Sequence, residues 1–281
     1  MEICRRGCAV LIIVLGVGII CYPFFSDRLF ERQAKKRIQE NVSTGQMLQK
    51  EEIVEQIRSA RAYNQGLLQG SGCKDPFSLQ EKGNDTYDKI LSCDNSGIMG
   101  YLTIPCISLE YPIYHGTDVA VLEKGIGHVQ GSSFPVGGEG THALLAGHSG
   151  VTHRRLFTDI ENLKQGDMVC VNVLNEIYTY RVESLKVVAP DDLSQTEIEP
   201  DKDLLTLITC TPYGINSHRL LVRCVRYESQ EKNNEMPPFE CKTRSTYETN
   251  LFKDYLVTGA ALIIMTGAFF VIFAKSRNQF K

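Results

Sequence analysis

The chain lacks a surplus of either charge: 30 Lys and Arg stand against 33 Asp and Glu over 281 residues, a formal net charge of −3. That balance excludes the broad basic footprint of a nucleic-acid binder. It also lacks any CxxC pair, which argues against a zinc ribbon or a thioredoxin-type redox site. No internal repeat is present, so a solenoid or propeller is excluded. Gly125, Gly127 and Gly131 miss the GxGxxG spacing and precede no helix-like run, which leaves phosphate cradling without support. What is present is an ordinary folding composition, 43% hydrophobic and 22% charged. A mean hydropathy of −0.15 argues against a polytopic transporter.

The apolar residues nevertheless gather into one long run at each end. Gly7 to Phe25 and Tyr255 to Ala274 carry no charge, and each has about the 20 residues that cross a bilayer core. Arg5 and Arg6 precede the first run; Lys275, Arg277 and Lys281 follow the second. The positive-inside rule places both basic tips in the cytoplasm and the stretch between on the extracellular side of the cell membrane. A cleaved signal peptide competes for the first run, but bulky or rigid Tyr22, Pro23, Phe24 and Phe25 stand where a small-x-small site belongs. A buried core helix is the alternative for either run. The expected plan is an anchor at 1–25, a helical region at 26–70, a loop at 71–97, a catalytic domain at 98–228, a tether at 229–253, a second transmembrane helix at 254–274 and a basic tail at 275–281.

Within the helical region, Ile53, Ile57 and Ala60 recur at helical spacing, and Thr44-Gly45 is expected to separate two helices. Their expected role is packing on the domain that follows, because the heptads are too few for a coiled coil. Gln69 to Gly97 is polar and glycine-rich, and loops of that length are functional or disordered. From Gly100 to Tyr227 the pattern is β: Tyr101–Pro105, Thr141–Ala146, Asp167–Val173, Tyr178–Val182 and Leu204–Thr209 are short β-branched or aromatic runs bounded by turn residues. With one short helix near Thr152 to Leu163, that spacing predicts a barrel or a sandwich. Cys4, Cys8 and Cys21 sit in or beside the first apolar run. Cys73, Cys93, Cys106, Cys170, Cys210, Cys224 and Cys241 fall between the two runs, an odd number that leaves one thiol free even with full pairing.

One segment carries chemistry. Leu204 to Arg226 reads as a strand ending at Cys210, a turn-rich stretch, and a strand entered at Arg219. A thiol at one rim and a guanidinium at the facing rim suit acyl transfer, which needs a thiolate and a donor for the oxyanion. His148, between Gly147 and Ser149-Gly150, is the candidate base. The competing reading is a small buried hydrophobe beside an exposed Arg. His115, His128, His142 and His153 are read as structural, and His218 should point away from the face of Arg219. A metal site using His142, His148 and Cys210 matches no common ligand spacing.

These residues bring the chain to a resemblance. Thr206-Leu-Ile-Thr-Cys210 followed by Arg219, with an upstream Gly-His, resembles the signature of sortases, cysteine transpeptidases of Gram-positive surfaces. TCTPYGINSHRLLVR, GHVQGSSFPVGGEGTHALLAGHSG and the second apolar run are similar to class C, the pilin-polymerising branch. The resemblance covers about Tyr63 to Tyr227. It implies a mainly β fold, a closed eight-stranded barrel with N-terminal helices and a transmembrane helix at each end. It assigns His148, Cys210 and Arg219 as catalytic, and it matches Asp75-Pro76-Phe77 to a lid in which Asp75 engages Arg219 and Phe77 shields Cys210. It further implies substrates that are pilins or surface proteins with LPXTG-like sorting signals, and no cofactor. Two positions depart from the family: Cys224 stands where Gly is usual, and Ser149 where Arg commonly follows Gly-His; both are expected to alter the cleft wall. The sequence does not choose among the pairings of Cys73, Cys93, Cys106, Cys170, Cys224 and Cys241; buried reduced thiols are the expectation, and a Cys73–Cys93 disulfide, which would staple the lid at its base, is the alternative. Competing functions are a sortase that charges the peptidoglycan precursor, a secreted cysteine peptidase, and a membrane-tethered adhesion or sensor module.

Overall fold

The structure, a computed structural model, describes residues 2–67, 75–78, 86–94, 96–150, 154–192 and 194–228. The chain divides into two compact units; one holds Met1–Leu29, and the larger begins at Phe30 and holds the barrel. Helix α1 (Glu2–Met47) is followed by α2 (Lys50–Leu67). The break falls at Leu48-Gln49, not at Thr44-Gly45. The helix runs through Thr44-Gly45, where the hydroxyls of Ser43 and Thr44 donate to the carbonyls of Gln39 and Glu40, 2.8 and 3.0 Å away. A Cβ at Gly45 would lie 3.7 Å from Asn175, an ordinary contact that does not require glycine. Helix α2 starts where Glu52 Oε2 accepts the Gln49 N–H at 3.0 Å, one half of a capping box.

Eight strands then close on themselves: β1 (Ile98–Ile104), β2 (Leu109–His115), β3 (Ile126–His128), β4 (Thr141–Ala146), β5 (Met168–Val173), β6 (Glu176–Val188), β7 (Asp203–Thr211) and β8 (His218–Arg226). Their order around the barrel is β1-β2-β3-β4-β7-β8-β6-β5. The pairs β2–β3 and β4–β7 are parallel and the rest antiparallel. A closed barrel has no free edge to manage, and it is this architecture, not a sandwich, that the chain adopts. A one-turn helix, α3 (Val119–Leu122), capped by Asp118, leads into β3. The helix expected near Thr152 to Leu163 is a 3₁₀ segment confined to Thr158–Asn162, preceded by a bond from the Phe157 N–H to the His148 carbonyl.

Strand alternation sorts the side chains. Ala143, Leu145, Leu205, Leu207, Leu220 and Val222 fill the barrel with Leu102, Ile113, Val169 and Val171. Opposite neighbours on the same strands, Leu144, Ala146, Ile208 and Leu221, form a second apolar cluster on the outer face with Leu122 and Val129. Burial on both faces explains why β7 reads as an unbroken apolar run without alternation.

Within the larger unit, Ala34, Ile57 and Ala60 of the helices join the core. Asn64 clamps a backbone segment: it accepts the Phe134 N–H at 2.7 Å and donates to the Phe134 carbonyl at 3.0 Å. Residues 86–94 are bolted down by Tyr87 and Leu91, both buried, by Gln56 accepting the Leu91 N–H, and by the His115 ring against the Ile90 carbonyl. Cys93 packs half-buried beside them and carries a free thiol, as the reduced-thiol reading expects, so the alternative Cys73–Cys93 staple is not formed. Cys170 and Cys224 are also free, whereas Cys106 is disulfide-bonded. Among the described residues, no helix is long and apolar enough to cross a membrane. The tether and the second apolar run lie outside the described residues, as do Cys73, Cys241 and His153.

Candidate active site

Cys210 closes β7 and Arg219 opens β8, and the antiparallel register sets their Cα positions opposite each other. Between them the chain turns through Pro212, after a cis Thr211-Pro212 bond, and through Gly214 and Asn216 at φ +74° and +59°. Carbonyl Pro212 accepts the N–H groups of Ile215 and Asn216, each at 3.0 Å. His218 is exposed and bonded to Ser217, on the face opposite buried Arg219.

His148 arrives from the other side. The parallel ladder pairs Thr141 with Asp203 and Ala146 with Ile208, and one step further Gly147 donates its N–H to the Ile208 carbonyl at 3.1 Å. Continuing that register sets His148 beside Cys210. Two hydroxyls hold it there: Thr209 Oγ1 donates to the Gly147 carbonyl at 2.7 Å, and Ser149 Oγ donates to the Cys210 carbonyl. Gly147 must be glycine, because a Cβ would meet the Phe157 ring at 2.8 Å. By alternation, His148 continues the face of Leu144 and Ala146, Cys210 that of Ile208, and Arg219 that of Leu221. All three therefore stand at one end of the outer apolar cluster.

Asp75, Pro76 and Phe77 lie over that end. Asp75 takes the Arg219 fork with both oxygens, Nε to Oδ1 at 2.9 Å and Nη2 to Oδ2 at 2.8 Å. Only 11% of the Arg219 and 16% of the Asp75 side chain is exposed, so this is a largely desolvated, bidentate pair. Arg219 Nη1 donates to the carbonyls of Asn216 and His218. The Phe77 ring rests on the outer cluster, 5.1 Å from the Arg219 guanidinium carbon and 5.8 Å from the His148 ring centroid. A turn closed by Ser78, whose N–H and hydroxyl both donate to the Asp75 carbonyl, fixes the segment, with Pro76 buried.

The electrostatics follow from this cover. Burial pushes the Cys210 thiol above its ordinary value; Arg219 draws it down, and the Asp75 carboxylate pushes it up. The bond to Asp75 in turn raises Arg219. With Asp75 in place, the guanidinium is spent on a carboxylate and the thiolate form is disfavoured.

Two of the other histidines, His142 and His128, are structural. His142 sits six residues before His148 on β4, about 20 Å away at strand rise, and its ring nitrogens meet the Glu197 carbonyl and Thr206 Oγ1, both at 2.8 Å. His128 is bonded to Tyr87 and Ser133 and stacks on Phe134. Burial lowers both to about 4. Cys224 is wholly buried in the barrel and forms no cleft wall, contrary to expectation; a Gly-to-Cys change there fills core. Ser149 is at the site, and its bond to the Cys210 carbonyl had no signal in the sequence. Nor did the narrow cleft of about 10 Å³ beside Cys210, lined by Ser149, Thr158, Glu161, Thr209, Thr211, Tyr213 and Leu220.

Residues 102–227 match the family described as Sortase domain. Sortase A of Bacillus anthracis is 31% identical over 214 residues, 76% of this chain and 90% of that protein. Among solved structures, sortase C of Streptococcus pneumoniae superposes with a TM-score of 0.65 at 39% identity, covering 69% of this chain and 97% of its own. The sortase C1 of GBS pilus island 1 gives 0.66 at 35%, covering 72% and 96%.

Proposed function

The chain belongs to the sortase family of cysteine transpeptidases, and on that premise we propose that it is a class C enzyme that polymerises pilins. It cleaves an LPXTG-like sorting signal between Thr and Gly and passes the acyl group to a lysine amine of the next pilin. The observation that carries this reading is the cover: an Asp-Pro-Phe turn seated on Cys210, His148 and Arg219. The likeness to sortase C structures, one of them described for pilin substrate specificity, supports it.

The chemistry divides among three side chains. Withdrawal of Asp75 frees the Arg219 fork and removes the charge that disfavours thiolate at Cys210. The thiolate attacks the Thr carbonyl carbon, and Arg219 donates to the oxyanion, a stabilisation of roughly 3 kcal/mol for one such donor. His148, as imidazolium, gives its proton to the departing Gly nitrogen as the C–N bond breaks. The acceptor ammonium then loses one proton to water and a second to His148 as its nitrogen attacks the thioester. The C–S bond breaks, and the thiolate–imidazolium pair is restored.

We place the barrel outside the cell membrane, with both termini cytoplasmic. Support comes from the charge-free runs at 7–25 and 255–274 with their basic flanks, and from Leu15, Ile19, Tyr22 and Phe25 of α1, which stand exposed at helical spacing. A second reading, attachment of surface proteins to the peptidoglycan precursor, is favoured by the sortase A name of the curated relative and shares every step up to the thioacyl enzyme. Incubating the protein with a sorting-signal pilin and reading a denaturing gel separates them. A ladder is expected; its absence with a pilin, alongside transfer to a precursor amine, supports the second reading. A Cys210→Ala protein that still builds ladders overturns both.

A further inference from the structure

The proposed reaction leaves the second substrate without a seat: the lid and the apolar cluster occupy one face of β7 and β8, where the sorting signal's acyl part must reach the thiol. The narrow cleft on the other side of Cys210 has the chemistry for it. Thr209 and Thr211 point to the face opposite Cys210, and Leu220 to the face opposite Arg219, by strand alternation. Neither Asp75 nor Phe77 lines this space, so the cover leaves it open.

The lining is unusual in composition. Ser149, Thr158, Thr209, Thr211 and Tyr213 each bring a hydroxyl, Glu161 brings a carboxylate, and among the described residues no basic side chain lines the space. The 3₁₀ segment at Thr158–Asn162 sets Thr158 and Glu161 toward the cleft, while its other acid, Asp159, is buried and consumed by Arg155 at 2.7 Å and by Asn162. Glu161 has no ion-pair or hydrogen-bond partner among the described residues. It is exposed at the rim, yet burial and the neighbouring Asp159 raise its pKa, so its charge is under-compensated. A volume of about 10 Å³ holds one water-sized group, and a primary ammonium is such a group.

We propose that this cleft is the docking site for the amine acceptor, with Glu161 as the carboxylate that receives a primary ammonium and the surrounding hydroxyls as its hydrogen-bond acceptors. The inference rests on the transpeptidase reading and adds where the acceptor enters: on the side of Cys210 away from the lid. Cys210 itself lines the cleft, so an ammonium received there waits next to the residue that carries the acyl group.

The test compares two nucleophiles on the same full-length protein, acylated by a sorting-signal peptide. Nα-acetyl-lysine amide is cationic at neutral pH, and hydroxylamine is uncharged. The readout is the ratio of their kcat/KM values for product formation. Glu161→Gln is expected to lower that ratio about 10-fold through the KM for the lysine analogue, and Glu161→Lys to lower it further, because a like charge repels the ammonium. A ratio within twofold of the parent in both variants overturns the inference, and so does a parallel fall with both nucleophiles, which is the mark of a structural role. If the parent protein forms no thioacyl enzyme and releases no hydroxamate, it is the transpeptidase reading that fails, whatever the variants do.

Discussion

Replacing Asp75 by Ala tests the cover directly. The side chain makes two charge-assisted bonds to Arg219 at 2.8–2.9 Å in a site where both partners are at most 16% exposed. A hydrogen bond to a charged group contributes about 1.5–3 kcal/mol. Removing that from the closed state alone raises the open population about 10- to 150-fold, since 1.4 kcal/mol is a factor of ten. Loss of the carboxylate also removes the charge that pushes the Cys210 thiol up and leaves the guanidinium that draws it down. Two separable effects are therefore expected when Cys210 is alkylated by iodoacetamide across a pH series and read by peptide mass. The plateau rate at high pH rises at least 10-fold, reporting opening, and the midpoint moves to lower pH, reporting the thiolate. Cys93, half-buried, and Cys170 and Cys224, buried, serve as internal references in the same digest. A plateau within twofold of the parent and an unmoved midpoint, in a protein that melts normally, would refute the argument that Asp75 holds the lid on the thiol.

Other expectations follow from single contacts. Phe77→Ala, which strips the ring from the outer apolar cluster, is expected to raise the alkylation plateau and, by lessening the burial that pushes the thiol up, to move its midpoint to lower pH; an unchanged plateau and midpoint would contradict a covering role for the ring. Arg219→Lys loses the planar fork, and steady-state turnover of a sorting-signal peptide is expected to fall about 100-fold, with near-normal turnover counting against the oxyanion role. Thr209→Val leaves the Gly147 carbonyl without its donor in a buried site, a loss of about 1–3 kcal/mol that urea titration measures. His128 and His142, both lowered to about 4 by burial, are neutral in the fold and take up protons on unfolding. Stability is therefore full above the ordinary histidine value near 6.5 and is lost as pH falls from there toward 4. A melting temperature flat from pH 7 to 4.5 would show that these rings are not held neutral.

Local chemistry was legible in the sequence, and long-range pairing was not. An apolar run, a turn and a second run announce Cys210 and Arg219 at facing rims, because two strand-like runs joined by a short turn pair as antiparallel neighbours. His148 has no such announcement. It reaches Cys210 through a parallel pairing across 62 positions, Thr141 to Asp203, which no local pattern encodes. Strands β2 and β3 were not anticipated, one because Pro112 interrupts it and the other because three residues give too little periodicity. The helix break was misplaced because Thr44-Gly45 looks like a stop, whereas the helix runs on to Met47. Cys224 and Ser149 were both flagged as departures. Only coordinates separate a residue that fills core from one that bonds the nucleophile's carbonyl.

The register of β7 on β8 has a consequence for how such a protein diversifies. The distance from sulfur to guanidinium is written into the strands, Cys210 opposite Arg219 and Leu207 opposite Val222, and does not depend on what joins them. Residues 212–217 can accordingly lengthen, shorten or change composition and re-sculpt the rim that meets incoming proteins, while the reacting groups keep their spacing. A one-residue slip inside either strand has the opposite effect, turning the guanidinium into the barrel and presenting an imidazole in its stead. Innovation is cheap in the connecting segment and forbidden a single position away.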